Sequence, residues 1–273
     1  MNFYVKGISI AIATMDSPKY LNQCLRYIKK NTVLPYEVLV YDNGSLKETQ
    51  NIINNCDIES IKYIQAENKG IMNAWNWGIN NASFRHFISL HDDMLVLPKW
   101  DIELALAVKK IPVPYRYIYC CRSFEAKSHV KTQVIGKNYG NIEEFDDAAL
   151  LKDAKEIYKA DNGKLIVSPR EPMFMHKKLW EDMEGFSIDY WSFASDDWKI
   201  LKAWNCGTRT FGMCMGSFVY HHSGVTNKKQ IVDRDSIEPY LKLKKEFKNT
   251  HPNIGDIWQY QVKLLNYYSE INI

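Results

Sequence analysis

The chain has 273 residues, of which 46% are hydrophobic and 25% charged, so it can bury a substantial core in one large domain with or without an appendage. Its net charge of +3 is too small for this length to indicate nucleic-acid binding. No apolar run approaches the roughly 20 residues of a membrane-spanning helix. The first residues lack a secretory-signal layout, and the six cysteines lack C-x-x-C spacing. These features predict a cytoplasmic protein with reduced thiols.

Apolar runs alternate with helical patterns through the first 110 residues. Strands are predicted over residues 8–14, 36–41, 61–64 and 87–91. Helices are predicted after Pro18 and over residues 46–55, 70–82 and 100–110. Because strands that alternate with helices connect by right-handed crossovers, the pattern predicts an α/β fold with a mostly parallel central sheet flanked by helices.

The second half of the chain has a weaker pattern. Strands are predicted over residues 113–121 and 171–176 and near 208–213, and helices from residue 177 to about 185 and over 196–205. Residues 122–170 have mixed charge and little periodicity, so no element is predicted there. Apolar residues after about position 227 recur at helical spacing, which predicts a helical C-terminal extension.

Polar clusters end several of the apolar segments. Asp92 and Asp93 follow a buried strand, and their carboxylates are hard oxygen ligands that suit Mg²⁺ or Mn²⁺. A second acidic pair, Asp196 and Asp197, begins a predicted helix. Ligands of parallel sheets bind beyond the carboxyl ends of the strands, where Asp93 lies. The clusters therefore predict one site assembled from several strand ends.

Six segments, taken in order, resemble the motifs of the inverting GT-A fold glycosyltransferases of family 2. The resemblance covers about residues 7–226 and includes a Rossmann-like nucleotide-binding half. The segments are Ile8 to Ser17, Val40-Tyr41-Asp42-Asn43-Gly44-Ser45, Asn68-Lys69-Gly70 with Asn76-Trp77-Gly78, His91-Asp92-Asp93, Gly185-Phe186 with Ser195-Asp196-Asp197-Trp198, and Val219-Tyr220-His221-His222-Ser223-Gly224.

This resemblance implies a set of residues that contact a nucleotide-sugar donor. Asp42 would bind the nucleobase or ribose, and Asn68 and Gly70 would lie by the diphosphate. A helix that begins at Gly70 supports this placement independently, because its free N–H groups attract phosphate. The implied donor-binding residues are Thr14, Asp42, Asn43, Asn68, Gly70, Asn76 and Asp92.

The resemblance also implies a divalent cation, Mn²⁺ or Mg²⁺. His91 occupies the first acidic position of the family's D-x-D motif, and Asp93 matches its last aspartate. The late histidine of the family corresponds to His221 or His222, with His221 the better match in spacing. Both stay open as ligands, and imidazole suits Mn²⁺ better than Mg²⁺.

Catalytic and acceptor residues follow from the same comparison. Asp197 aligns with the family's catalytic base, and Asp196 is the alternative if the alignment is shifted by one residue. Trp191 and Glu171 are the implied contacts of the acceptor, since aromatic faces stack on sugar rings.

These expectations combine into a metal-dependent transferase that moves a sugar from a UDP- or GDP-sugar to a hydroxyl acceptor with inversion. Two alternatives are a metal-dependent phosphodiesterase or nuclease and an inactive nucleotide-sugar-binding protein. The predicted domain spans residues 1–226, with a nucleotide-binding half to about 110 and an acceptor-binding half from 111, followed by the extension 227–273. The acceptor is a glycan, a lipid-linked intermediate, a protein or another hydroxyl compound. Peripheral membrane contact by the extension stays open.

Overall fold

The computed structural model describes residues 5–45, 48–109, 111, 113–126, 134–161, 165–166, 170–189 and 195–222, and single positions at 241, 242, 245 and 249. Within these ranges the strands are β1 (Ile8–Thr14), β2 (Tyr36–Asp42), β3 (Ile61–Gln65), β4 (His86–His91), β5 (Met94–Val96), β6 (Tyr117–Glu125), β7 (Val134–Gly136), β8 (Leu165–Ile166), β9 (Met173–His176) and β10 (Thr210–His221). The helices are α1 (Pro18–Asn31), α2 (Glu48–Asn54), α3 (Ile71–Asn80), α4 (Trp100–Val108), α5 (Asp147–Asp161), α6 (Lys177–Asp182) and α7 (Ser195–Asn205).

The strands form one sheet in the order β3-β2-β1-β4-β9-β6-β10-β5, with β7 on β6 and β8 on β10. Strands β1 to β4 are parallel, and β10 is parallel to β6. Strand β9 is antiparallel to both β4 and β6, so these two point the same way. The carboxyl ends of β1, β2, β4, β6 and β10 therefore lie at one edge, which confirms the predicted mostly parallel α/β sheet.

The central strands are buried on both faces, which explains their continuous apolar runs. All seven residues of β1 are buried, as are six of the seven in β2. Helix α3 packs unusually close to β1. A Cβ atom built on Gly78 would lie 2.7 Å from the Cβ of Ala11, so only a glycine allows this approach. The close contact fixes where the first turn of α3 lies relative to the end of β1.

Most predicted elements of the first half are confirmed, with ends that differ by a few residues. No element was predicted for residues 122–170, and the structure places the end of β6 together with β7, α5 and β8 in this stretch. Strand β10 was predicted to end near residue 213 but continues to His221, and the added residues are almost all buried. The predicted extension 227–273 lies outside the described residues apart from the four single positions named above.

Two expectations about the protein's environment concern its thiols and membranes. All six cysteines are free thiols, and four of them are buried. Within the described ranges, no helix has both the length and the apolar character needed to cross a bilayer. Cytoplasmic residence stays a prediction.

Glu37 is a buried carboxylate far from the strand ends described below. It accepts hydrogen bonds from Ser9 Oγ (2.6 Å) and Ser83 Oγ (3.0 Å), and Lys62 Nζ lies 3.3 Å away. Burial alone would raise the pKa of Glu37, but these hydrogen bonds and the lysine charge outweigh it and lower the pKa. This carboxylate therefore contributes stability when it is ionised.

We expect Glu37→Gln to lower the free energy of unfolding by about 1–3 kcal/mol at pH 7, because buried donors lose a charged acceptor. The lowered pKa makes this contribution complete above the unfolded value of about 4.3 and lost as the pH falls through the folded value. Urea unfolding at pH 7 and below pH 4 would measure it. The exposed Glu59→Gln is the control, and an equal difference at both pH values would contradict the explanation.

Candidate active site

Polar side chains from distant segments meet at the carboxyl-end edge of the sheet. Thr14 ends β1 directly opposite Asp42, the last residue of β2. His91 ends β4 opposite Ala13 of β1, and Asp93 follows it in the chain. His221 ends β10 opposite Met94. The register therefore brings the predicted site residues of four strands together.

Asp92 and Asp93 form the tight turn between β4 and β5, and both are buried. Their side chains have different partners. Thr14 Oγ1 donates a 2.6 Å hydrogen bond to Asp92 Oδ2, whereas Asp93 Oδ1 lies 3.4 Å from His221 Nε2. Burial, and then the charge of Asp93, raise the pKa of Asp92 to about 8. Burial also opposes ionisation of Asp93, but His221, with His91 and His222, outweighs it and lowers the pKa. Asp93 is therefore the ionised member of the pair.

His221 is held between two carboxylates. Its Nδ1 atom lies 3.2 Å from Glu125 Oε1, on the side away from Asp93. Burial lowers the pKa of His221, but Asp93 and Glu125 outweigh it and raise the pKa to about 10. A carboxylate on the second ring nitrogen is the usual way in which proteins orient a histidine ligand. Glu125 was missed by the sequence analysis, because it ends a strand predicted to stop at residue 121.

His222 points away from this pair. Its backbone N–H donates to the carbonyl of Asp93 at 3.0 Å, but its Nε2 atom lies 3.0 Å from Gln23 Oε1. The ring also packs edge-on against Tyr20, with 5.2 Å between ring centroids. Of the two candidate histidines, only His221 has its side chain directed at Asp93.

The chemistry of these side chains fits a divalent cation with few protein ligands. Within the described ranges, no group of three or more His, Cys, Asp or Glu side chains could hold a metal ion by itself. Asp93 Oδ1 and His221 Nε2 are 3.4 Å apart, close to the roughly 3 Å between neighbouring ligands of an octahedral ion. Magnesium-type sites commonly use one or two protein ligands and complete the shell with substrate phosphates and water.

The turn after β2 places Asp42 and Asn43 beside Thr14. Asp42 is fully buried and accepts 2.8 Å hydrogen bonds from Ser45 N and Tyr63 Oη, which hold the turn in shape. Gly44 has a φ of +84°, as its position in the turn predicted. The Oδ1 atom of Asn43 is buried and has no hydrogen-bond partner in the described part of the chain. The side-chain oxygen of Asn43 is therefore an acceptor to which a ligand could donate a hydrogen bond.

The first turn of α3 lies next to this loop. Gly70 precedes the helix with φ 81° and ψ 169°, a conformation that favours glycine. Asn68 is exposed, and its Oδ1 accepts a 3.1 Å hydrogen bond from Gly70 N. Gly70, the residue before this helix, has no side chain that could cap the N–H groups of its first turn. These N–H groups can donate to a bound phosphate.

Asn76 has a different environment from the donor contact predicted for it. Its Oδ1 atom accepts hydrogen bonds from Trp180 Nε1 (3.0 Å) and Phe186 N (2.8 Å), and its Nδ2 donates to the Phe186 carbonyl at 2.7 Å. Its amide is thus occupied within the chain. Asn76 joins α3 to the segment after α6 and positions these elements.

Glu171 differs in the same way from the predicted acceptor contact. Its Oε2 atom accepts hydrogen bonds from Ser89 Oγ (2.5 Å) and Met173 N (3.0 Å), and its Oε1 atom pairs with Lys199. The side chain is 7% exposed. Its carboxylate is therefore bound inside the protein and directed away from a solvent-borne acceptor.

The candidate base lies in the first turn of α7. Asp196 has a buried Oδ1 atom without a hydrogen-bond partner in the described part of the chain. Burial, and next the charge of Glu171, raise the pKa of Asp196. The backbone of Asp197 belongs to the same turn, whereas its side chain and the whole of Trp191 lie outside the described residues. Their predicted roles stay predictions.

Comparisons with solved structures show the same fold. Staphylococcus aureus TarS (residues 1–349) in complex with UDP superposes with a TM-score of 0.62 at 15% identity, over 97% of this chain and 72% of that one. GalNAc-T7 with UDP, GalNAc and Mn²⁺ superposes with a TM-score of 0.61 at 13% identity, over 97% of this chain and 55% of that one. At such low identity these likenesses establish the GT-A fold alone.

Comparisons of sequence identify the family. An uncharacterized glycosyltransferase of Rickettsia prowazekii (strain Madrid E) is 28% identical over 130 residues, 47% of this chain and 40% of that protein. The chain thus matches less than half the length of this relative. The model of the family described as "Glycosyl transferase family 2" matches residues 9–163, which is more than half of the chain and includes β1 to β4 apart from the first residue of β1. Together with the fold, this match shows that the chain belongs to glycosyl transferase family 2.

Proposed function

We propose that the protein transfers a sugar from a nucleoside-diphosphate donor to a hydroxyl acceptor by a single displacement with inversion. The observation that carries this proposal is the buried turn of Asp92 and Asp93, held by Thr14 from β1 and by His221 from β10. Through Thr14 this turn contacts the strands that would bind the nucleotide, and through Asp93 and His221 it offers a position for a cation. The two structural relatives were solved with UDP, which makes UDP-sugars the first donors to test, ahead of GDP-sugars.

The donor would lie across the loops after β1 and β2 and the first turn of α3. Asn43 offers the nucleoside a buried amide oxygen, and Asp42 shapes the turn that presents it. The diphosphate would reach the N–H groups of α3 beside Asn68 and Gly70. Thr14 and Asp92 close the site between the nucleoside and the cation.

Asp93 and His221 would hold Mn²⁺ or Mg²⁺ against the diphosphate, where the cation neutralises the charge that develops on the leaving nucleotide. Glu125 orients the imidazole from its other nitrogen. His222 takes no part in this arrangement because its side chain contacts Gln23.

We expect Glu125→Gln to weaken Mn²⁺ binding about 10- to 100-fold, because His221 loses the charged group that orients it. Calorimetric titration of Mn²⁺ into the protein with saturating UDP measures this effect. Glu143→Gln, an exposed substitution of the same kind, is the control. Unchanged Mn²⁺ affinity in the Glu125 variant would show that Glu125 does not position His221 as a metal ligand.

Asp197 would remove the proton of the acceptor hydroxyl as it attacks the anomeric carbon from the face opposite the diphosphate, with Asp196 as the alternative base. Trp191 would stack on a sugar ring. In the proposed domain organisation, residues up to about 110 bind the donor, residues 111–226 bind the acceptor, and the extension 227–273 follows. The acceptor class stays open between glycan, lipid-linked, protein and other hydroxyl compounds.

The first experiment is calorimetric titration of UDP, GDP and their common sugar conjugates into the purified protein, with Mn²⁺ and then with EDTA. Selective binding that requires the metal, followed by transfer or slow hydrolysis of the bound donor, supports the proposal. Tight donor binding without turnover on any acceptor would instead support an inactive binding protein. Metal-dependent cleavage of nucleic acid without a sugar donor would support a phosphodiesterase.

A further inference from the structure

Lys199 is a buried cation to which the proposed mechanism assigns no role. It belongs to α7, three residues after Asp196, and its side chain is fully buried against Glu171. Taking two charges out of water carries a desolvation cost that their attraction often fails to exceed, so the stability of the fold is a weak explanation for such a pair. Its geometry indicates a different purpose.

The carboxylate of Glu171 is fixed to the sheet. One oxygen accepts hydrogen bonds from Ser89 Oγ of β4 (2.5 Å) and from Met173 N at the start of β9 (3.0 Å). The other oxygen receives Lys199. With three donors from three segments, this carboxylate is held firmly to β4 and β9, and β4 leads into the turn of Asp92 and Asp93.

The ammonium group of Lys199 also contacts two aromatic faces. Its Nζ atom lies 3.8 Å from the ring centroid of Trp75 in α3 and 4.7 Å from that of Phe186. A buried cation over a tryptophan face is a favourable and directional contact. Trp75 in turn donates from Nε1 to the carbonyl of Leu90 at 3.3 Å, one residue before His91. Lys199 therefore connects α7 with the sheet and with the helix of the diphosphate site.

The first turn of α7 carries both candidate bases. Residues three apart on a helix share a face, so Asp196 lies on the same side of α7 as Lys199, which agrees with its buried Oδ1 atom. We propose that the ion pair of Glu171 and Lys199 is a positioning device, which holds this first turn, and the base within it, against the donor-binding edge of the sheet. The inference rests on the proposed function for its catalytic consequence.

The test removes both charges together, since a single substitution would leave one of them buried and unpaired. The double variant Glu171→Gln/Lys199→Met keeps similar side-chain volumes. We expect a melting temperature near that of the wild type, a donor dissociation constant and donor KM within about twofold, and a kcat lowered at least about tenfold through misplacement of the base. Lys29→Met/Asp57→Asn removes an exposed ion pair and is the matched control.

A second measurement does not need turnover. Hydrogen exchange at the amides of residues 198–201 is expected to be faster in the double variant, with exchange in β1 and β4 unchanged. Wild-type kcat together with wild-type exchange would overturn the inference, and so would donor binding that weakens in step with kcat. If the wild type transfers no sugar, the proposed function fails, while the exchange result still decides whether the pair holds α7. Should the double variant unfold, Ser89→Ala keeps the ion pair but removes one of the two hydrogen bonds that hold Glu171 to the sheet, and the same two readouts then decide.

Discussion

Asp93→Asn is expected to abolish metal-dependent donor binding and with it sugar transfer. The substitution keeps the shape of the side chain but removes the charge that faces His221 at 3.4 Å. Loss of a carboxylate ligand and of its charge on the diphosphate side should weaken UDP binding in Mn²⁺ about 100-fold or more, since a bound cation supplies several kcal/mol. Calorimetry of UDP with Mn²⁺ and with EDTA measures the metal-dependent and the metal-independent binding. The affinity for UDP in EDTA should equal that of the wild type.

The control for Asp93→Asn is Asp57→Asn, the same chemical change at an exposed carboxylate that pairs with Lys29 on the surface. His221→Gln and His222→Gln extend the test, because only His221 is directed at Asp93. We expect the first of these to reproduce the Asp93 defect and the second to leave Mn²⁺ affinity within about threefold of the wild type. Wild-type metal dependence in Asp93→Asn would remove this residue from the cation site.

Asp197→Asn is expected to separate donor binding from catalysis. An amide cannot remove the proton of the acceptor hydroxyl, so transfer should fall by about 100- to 10,000-fold. The proposed donor contacts lie at the ends of β1 and β2 and at the start of α3, away from Asp197, so the dissociation constant of UDP with Mn²⁺ should stay within about twofold. Single-turnover transfer and calorimetry on one protein preparation provide the two numbers.

Asp196→Asn is the matched comparison, one residue away in the same turn of α7. If it proves to be the inactive variant while Asp197→Asn transfers normally, Asp196 is the base. Normal transfer in both variants would place the base outside this turn. The test of the ion pair of Glu171 and Lys199 depends on this result only for the identity of the residue that is positioned.

The sequence predicted those parts of the fold and site whose signal is local. Strands β1, β2 and β4 are largely apolar, and each ends in polar residues. Because the alternation of strands and helices predicts a parallel sheet, it also predicted that these polar ends lie at the same edge. The turn with Gly44 and the start of α3 after Gly70 followed from glycine at points of positive φ. In these cases residue type and spacing alone carry the information.

Long-range partners could not be predicted. Asn76 and Glu171 have side chains suited to a ligand, but Phe186 and Lys199 occupy them instead, and nothing near either residue in the chain reveals those contacts. Glu125 was missed because its partner, His221, is 96 residues away. The choice between His221 and His222 was within reach: neighbours on a strand point to opposite faces, and β10 had been predicted too short for that rule to apply.

The close approach of Gly78 to Ala11 links the side-chain sizes that these two positions accept. A methyl group added at residue 78 meets the Cβ atom of Ala11 at 2.7 Å and the Cβ atom of Leu39 only at 3.7 Å, so one neighbour dominates the clash. Gly78→Ala should therefore lower the melting temperature, and Ala11→Gly should restore part of the loss in the double variant although it is harmful alone. In family members that share this helix-to-strand spacing, the two positions should vary as a pair with a nearly constant combined volume.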